Sequence, residues 1–232
     1  MFEPLKGLFR GQRSGPQGIG PASASPGVRS PFGGRGSEAT VSTRLSRGLE
    51  EFFTHIRDTT GLTVLDLGGA NQQNVSFITG LGHRLYSENF VQILHETFGV
   101  EDTTDQSNPG QIEYFLKQTL DYEDGYFDGV LIWDTLEYLS PALLTAVIER
   151  LHRIVRPKSY MLAFFHADAK LEAVPYYTFR IQEVKTLELT QRGQRHPAQL
   201  HNNRSVEKLF GKFESVKFFL TREQLREVIV KA

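Results

Sequence analysis

Apolar residues fall along this chain in two rhythms, short unbroken runs and helix-spaced stripes. The runs at 63–67 (TVLDL), 127–133 (FDGVLIW) and 160–165 (YMLAFF) are short and apolar at successive positions, as strands covered on both faces must be. HRLYSENF at 83–90 reads as another strand, ending at Glu88. Between the runs lie stripes. Leu45, Leu49, Phe52, Phe53 and Ile56 predict a helix over 41–59 with Ser42 or Thr43 at its start. Val75, Phe77, Ile78 and Leu81 mark a second helix behind Asn71 or Asn74, and a third spans 90–98. Leu143, Leu144, Val147, Ile148, Leu151 and Ile154 form the apolar stripe of a fourth over 142–155, which Pro157 stops. Strands alternating with helices predict an α/β fold around a mostly parallel sheet. Residues 112–116 fit an edge strand, with a helix over IEYFLKQTL as the alternative. After a short helix at 205–210, ESVKFFL is a strand. LREVIVKA is its expected antiparallel partner rather than a last helix, because Val228, Ile229 and Val230 are β-branched.

The stretch 61–74, GLTVLDLGGANQQN, organises the rest. Asp66 interrupts an apolar run near its carboxyl end, where an unpaired carboxylate is costly, so it is expected to hold a backbone or a ligand. Gly68 and Gly69 then supply the turn into a helix, at the strand edge where open α/β sheets bind nucleotides. Glu88 follows at roughly the ~20-residue spacing of a ribose-binding acid, with an ordinary surface glutamate as the alternative. The third strand delivers Asp134, a candidate base or simply a helix cap, with Glu137 and Tyr138 one turn behind. The fourth delivers His166, a candidate base or a structural histidine.

Composition narrows the field. The 232 residues suit one sizeable core with appendages, and the net charge of -1 lacks the basic field of a dedicated nucleic-acid binder. There is no cysteine, which excludes disulfides, thiolate metal sites and cysteine-nucleophile chemistry; no metal centre is expected. No apolar run approaches the ~18 to 20 residues of a membrane-spanning helix, so a soluble, cytoplasmic protein is expected. Residues 1–40 are Gly, Pro, Ser and Arg-rich and read as a disordered leader, with an organelle-targeting or nucleic-acid-touching arm as the alternative.

VLDLGG, the acid closing the second strand, FDGVLIWDTLEYL and LHRIVRPKSYMLAFF, in that order, resemble the class I S-adenosylmethionine (SAM)-dependent methyltransferases over about half the chain, from Leu49 to His166. The resemblance implies a Rossmann-like, doubly wound sheet of seven strands with a terminal antiparallel hairpin, and SAM as cofactor. It implies cofactor contacts at Asp66, Gly68, Gly69, Ala70, Glu88 and Asp134, and chemistry at Asp134 or His166. Two positions depart from the family's glycine pattern, which here reads Gly68, Ala70 and Gln72. A nicotinamide-dependent oxidoreductase fits LHRIVRP and LEYL less well. A non-catalytic protein on the same scaffold is the main alternative.

Residues 169–204 match no standard element of that fold. Their alternation in TFRIQEVKTLEL predicts a β-rich insertion over the sheet's carboxyl edge, carrying Tyr176, Tyr177, Arg180, Arg192, Arg195, His196, His201 and Arg204. It is expected to select a small or medium-sized, anionic acceptor, methylated at oxygen before nitrogen; a solvated hairpin with no ligand is the competing reading.

Overall fold

The computed structural model describes residues 40–99, 105–168, 171–219 and 225–232; the leader expected at 1–40 lies, but for Thr40, outside them. Residues Glu38–Ala232 form one compact unit. Its main sheet runs β3-β2-β4-β5-β9-β8, with β2 Thr63–Asp66, β3 Arg84–Ser87, β4 Phe127–Trp133 and β5 Val155–His166 mutually parallel. Strand β9 (Leu225–Lys231) inserts antiparallel between β5 and β8 (Ser215–Phe219), as the terminal hairpin predicts. The sheet has six strands among the described residues, not seven. The missing edge strand is helix α4, Pro109–Thr119. Asn108 caps it by accepting from the N–H groups of Gly110 and Gln111, and Pro109 sits in the first turn, where its missing N–H costs nothing.

The period-two alternation of strands decides which residue faces which layer. In β4, Val130 and Ile132 join the layer under α3 (Phe90–Phe98), α4 and α5 (Pro141–Ile154), while Leu131 and Trp133 join the opposite layer with α1 (Arg47–Ile56) and α2 (Gln72–Gly80). The first layer is sealed by Phe115, whose ring meets Phe90 edge-on at 4.9 Å.

The expected first helix is shorter and begins later. Val41–Leu45 is instead a strand, β1, and the cap of α1 is Ser46, which accepts from the N–H of Leu49. β1 pairs antiparallel with β7 (Thr186–Arg195), which pairs with β6 (Val174–Glu183), giving a second sheet of order β1-β7-β6. Glu227 of β9 fastens its start: one carboxylate accepts from Arg44 at 2.5 Å, Ser46 Oγ at 3.0 Å and the Gly48 N–H at 2.6 Å.

Candidate functional site

β2 and β3 end side by side, because the N–H of Glu88 donates to the carbonyl of Asp66 at 2.8 Å. The two acids therefore close neighbouring strands at one edge. Asp66 is wholly buried. Its Oδ1 accepts from the Gly68 N–H at 2.9 Å and the Trp133 indole N–H at 2.6 Å, and its Oδ2 accepts from Asn74 Nδ2 at 3.1 Å. Burial pushes its pKa up and those donors oppose the rise. Its partners are thus internal to the protein.

Gly69, with φ of +84°, takes the left-handed conformation that favours glycine. Gly68 is needed for another reason. A Cβ there would lie 2.7 Å from Trp133 Cδ1, so the group that approaches the bare backbone is an indole of the same chain. Gln72 leaves that space clear, since its amide bonds Ser76 on the exposed side of α2. Trp133 itself has φ of +59°, a conformation that costs a bulky residue on the order of 1–3 kcal/mol. The Asp66 hydrogen bond and stacking on Phe179 (centroids 5.0 Å apart, planes 5° apart) and Phe164 (5.8 Å, 25°) hold it. Phe179 comes from β6, whose backbone α2 grips: Asn74 Nδ2 donates to the Phe179 carbonyl at 3.2 Å, and the Ile181 N–H donates to Asn74 Oδ1 at 2.9 Å. Asn71 caps α2 through the Asn74 N–H.

Glu88 is half-buried and accepts from the Tyr122 hydroxyl; burial and this carboxylate both raise the Tyr122 pKa. Ala70 is exposed on the outside of the turn. The residue after Glu88, Asn89, bridges to Gly68 and lines the cavity described below.

Asp134 is buried beside this turn, and its side chain makes no capping bond to the 3-10 turn Thr135–Tyr138. Its Oδ2 and the hydroxyl oxygen of Tyr138 are both buried without a hydrogen-bond partner. Burial raises the Asp134 carboxyl to about 7, against the opposing charge of His166. Burial, then the charge of Asp134, drives the Tyr138 phenol upward as well.

His166 does not fit the role of a base. It is fully buried, with Nδ1 2.6 Å from Glu137 Oε2 and Nε2 3.1 Å from the Pro175 carbonyl, while its own N–H donates to Glu137 at 3.0 Å. Burial disfavours its charged form, but the Glu137 hydrogen bond and charge outweigh that and raise its pKa. With both ring nitrogens engaged, it clamps the 3-10 turn to the end of β5.

Two cavities open along this edge. The smaller, about 140 Å³, is lined by Gly68, Asn89, Trp133 and Asp134; the larger, about 400 Å³, by Leu94, Gln106 and Gln194. Tyr138, Tyr176 and Arg195 line both. The Arg195 guanidinium stacks 4.1 Å from the Tyr176 ring centroid and 5.4 Å from that of Tyr138. Through Tyr176 and Arg195, β6 and β7 line these cavities. Arg195 lines both cavities, whereas Arg192 bonds Thr178 on the exposed side and Arg180 pairs with Glu188 at 2.8 Å.

An adenosyl cofactor finds suitable groups here but restricted room. The glycine turn, Asn89 and the adjacent Glu88 offer backbone and polar atoms to a nucleoside. A cavity of about 140 Å³ holds about one benzene ring, whereas small-molecule sites run to about 300–1,000 Å³. The indole on Gly68 would have to turn aside. Among the described residues no three His, Cys, Asp or Glu side chains are arranged to hold a metal, and no helix is long and apolar enough to cross a membrane.

Trp133 and Asn89 were not foreseen from the sequence. The signal for Trp133 was its place as the last residue of the FDGVLIW strand, directly before Asp134.

No family model and no curated protein matches the chain. Among solved structures it is similar to a SAM-dependent methyltransferase from Archaeoglobus fulgidus, at 16% identity and a TM-score of 0.49 over 79% of this chain and 91% of that one. It is similar at 11% identity to the 1,6-didemethyltoxoflavin-N1-methyltransferase of Burkholderia thailandensis with bound 1,6-didemethyltoxoflavin and S-adenosylhomocysteine, with a TM-score of 0.43 over 79% of this chain and 76% of that one. A SAM-dependent methyltransferase from Methanosarcina mazei aligns at 11% identity and a TM-score of 0.41 over 75% and 93%. With every TM-score under 0.5, these likenesses carry no argument about chemistry, which rests on the chain's own residues.

Proposed function

We propose that the chain is a SAM-dependent methyltransferase acting on a small or medium-sized anionic acceptor, at oxygen in preference to nitrogen. The observation that carries the reading is Asp134: a buried carboxyl with an unpartnered oxygen, titrating near neutrality, on a cavity that begins at the glycine turn. SAM, when bound, supplies a methyl group already activated on a sulfonium, so positioning does much of the work. Gly68, Gly69 and Ala70 offer the backbone of the turn, and Asp66 keeps that turn in shape through the Gly68 N–H. Glu88 accepts from ribose hydroxyls once Tyr122 yields its place. Asp134 takes the proton of the acceptor hydroxyl, and Arg195 holds the acceptor's negative charge.

A second reading has an observation of its own. Trp133 lies on Gly68 and bonds Asp66, which suits a scaffold that has closed its cofactor site and serves an interaction role. Calorimetric titration of the purified full chain with SAM, S-adenosylhomocysteine and NAD separates the readings. Saturable heat with the two adenosyl compounds supports the enzyme, silence with all three supports the scaffold, and heat with NAD alone removes both.

A further inference from the structure

The 400 Å³ chamber has a chemistry of its own. It is large enough for a one- or two-ring molecule, given that about 150 Å³ suffices for benzene. Two of its walls are the Tyr138 and Tyr176 rings, and the Arg195 guanidinium lies against both. Arg195 is half-buried, and among the described residues it makes no ion pair with a carboxylate. Flat aromatic walls beside a cation that no described carboxylate pairs at salt-bridge distance favour a planar anion, because the ring covers apolar surface while the guanidinium fork receives the charge. The Tyr138 hydroxyl, and Asp134 Oδ2 in the adjoining 140 Å³ cavity that Tyr138, Tyr176 and Arg195 also line, are buried without a hydrogen-bond partner. Leaving two buried polar atoms unsatisfied is costly, and a ligand hydroxyl, at once donor and acceptor, answers both.

We infer that this chamber and the smaller cavity it meets at Tyr138 together bind an aromatic carboxylic acid bearing a ring hydroxyl, its carboxylate on Arg195 and its hydroxyl toward Tyr138 and Asp134. The inference names the acceptor class for the methyl-transfer reading and rests on it for the purpose of the site, while the binding itself is measurable without cofactor.

The probe is 4-hydroxybenzoate, titrated calorimetrically into the full chain. Its comparators are benzoate, which lacks the hydroxyl, 4-hydroxybenzyl alcohol, which lacks the charge, and 4-hydroxycyclohexanecarboxylate, which lacks the planar ring. Saturable binding of 4-hydroxybenzoate, weaker by about tenfold or more for each comparator and for the Arg195→Gln variant, is expected. The circular dichroism of Arg195→Gln should match that of the parent chain. The inference is overturned if the charged and uncharged probes bind alike, if Arg195→Gln binds 4-hydroxybenzoate as the parent does, or if the parent ignores the probe. Failure of the methyl-transfer reading shows separately: a chain that takes 4-hydroxybenzoate but not S-adenosylhomocysteine keeps the chamber and loses the reaction.

Discussion

The Trp133 indole N–H donates to Asp66 Oδ1 at 2.6 Å, tying the end of β4 to the end of β2 directly over the glycine turn. Asp66 of VLDLGG is therefore held by a residue of a separate segment, FDGVLIWDTLEYL. Trp133→Phe keeps a ring against Phe164 and Phe179 but removes one donor from a buried carboxylate, at an expected cost of about 1–3 kcal/mol. Trp133→Ala should cost about 3–5 kcal/mol and enlarge the cavity over Gly68. Urea unfolding followed by circular dichroism measures both. The alanine variant should also bind S-adenosylhomocysteine more tightly than the parent chain, and weaker binding would mean that the indole is part of the cofactor's seat.

Asp134 gives stability a pH dependence of definite sign. Its native carboxyl titrates at about 7, far above the ordinary ~3.9, so between those values the folded state holds a proton that the unfolded state has lost. Stability from this group falls as pH rises from about 4 to about 7 and stays lowered above. About three pH units at about 1.4 kcal/mol each bound the loss at about 4 kcal/mol. Asp134→Asn should therefore match the parent near pH 4 and exceed it at pH 8, while methyl transfer is lost. Equal stability at both pH values would contradict the buried, uncompensated carboxyl.

Glu137 and His166 form a wholly buried pair, and removing one partner strands the other. Glu137→Ala is expected to cost about 3–5 kcal/mol in urea unfolding. The native pKa of His166 is raised, so its share of stability is present below the ordinary histidine range and is lost as pH climbs through the raised value. His166→Gln should flatten that part of the profile. If His166→Gln instead abolished turnover while leaving stability intact, the clamp would be wrong and the histidine would be chemical.

Glu227 joins β9 to the start of α1 through Arg44, Ser46 and Gly48. Glu227→Ala leaves Arg44 without that carboxylate and should cost about 3–5 kcal/mol, whereas Gln, which still accepts from Ser46 and Gly48, should cost less. Thermal melts of the two variants give the order.

How much of this was legible in the sequence varies by element. β2, β4 and β5 were readable because a strand covered on both faces must be apolar at successive positions, and the β8–β9 pairing because of Val228, Ile229 and Val230. β1 was misread because Leu45 extends the spacing of Leu49, Phe52 and Phe53, yet Leu45 is 70% exposed and its backbone pairs with β7. Its partner lies some 140 residues away, beyond the reach of local periodicity. Helix α4 carried a usable signal in Asn108-Pro109, a cap followed by proline. In the site, Asp66, Gly68 and Asp134 were readable from strand ends and glycines. The indole over Gly68 was not, because its direction depends on Phe179, a residue of the other sheet.

Trp133 is the chain's one tryptophan, so its emission reports on the surroundings of a single indole, which lies on Gly68 and against Phe164 and Phe179. Titrating the full chain with S-adenosylhomocysteine up to about 1 mM, while recording that emission alongside heat, asks whether the turn receives an adenosyl group. A cofactor site predicts a saturable change in Trp133 emission that tracks the heat. Flat emission with no heat across the titration would contradict it, and the Trp133–Asp66 contact would then mark a closed scaffold.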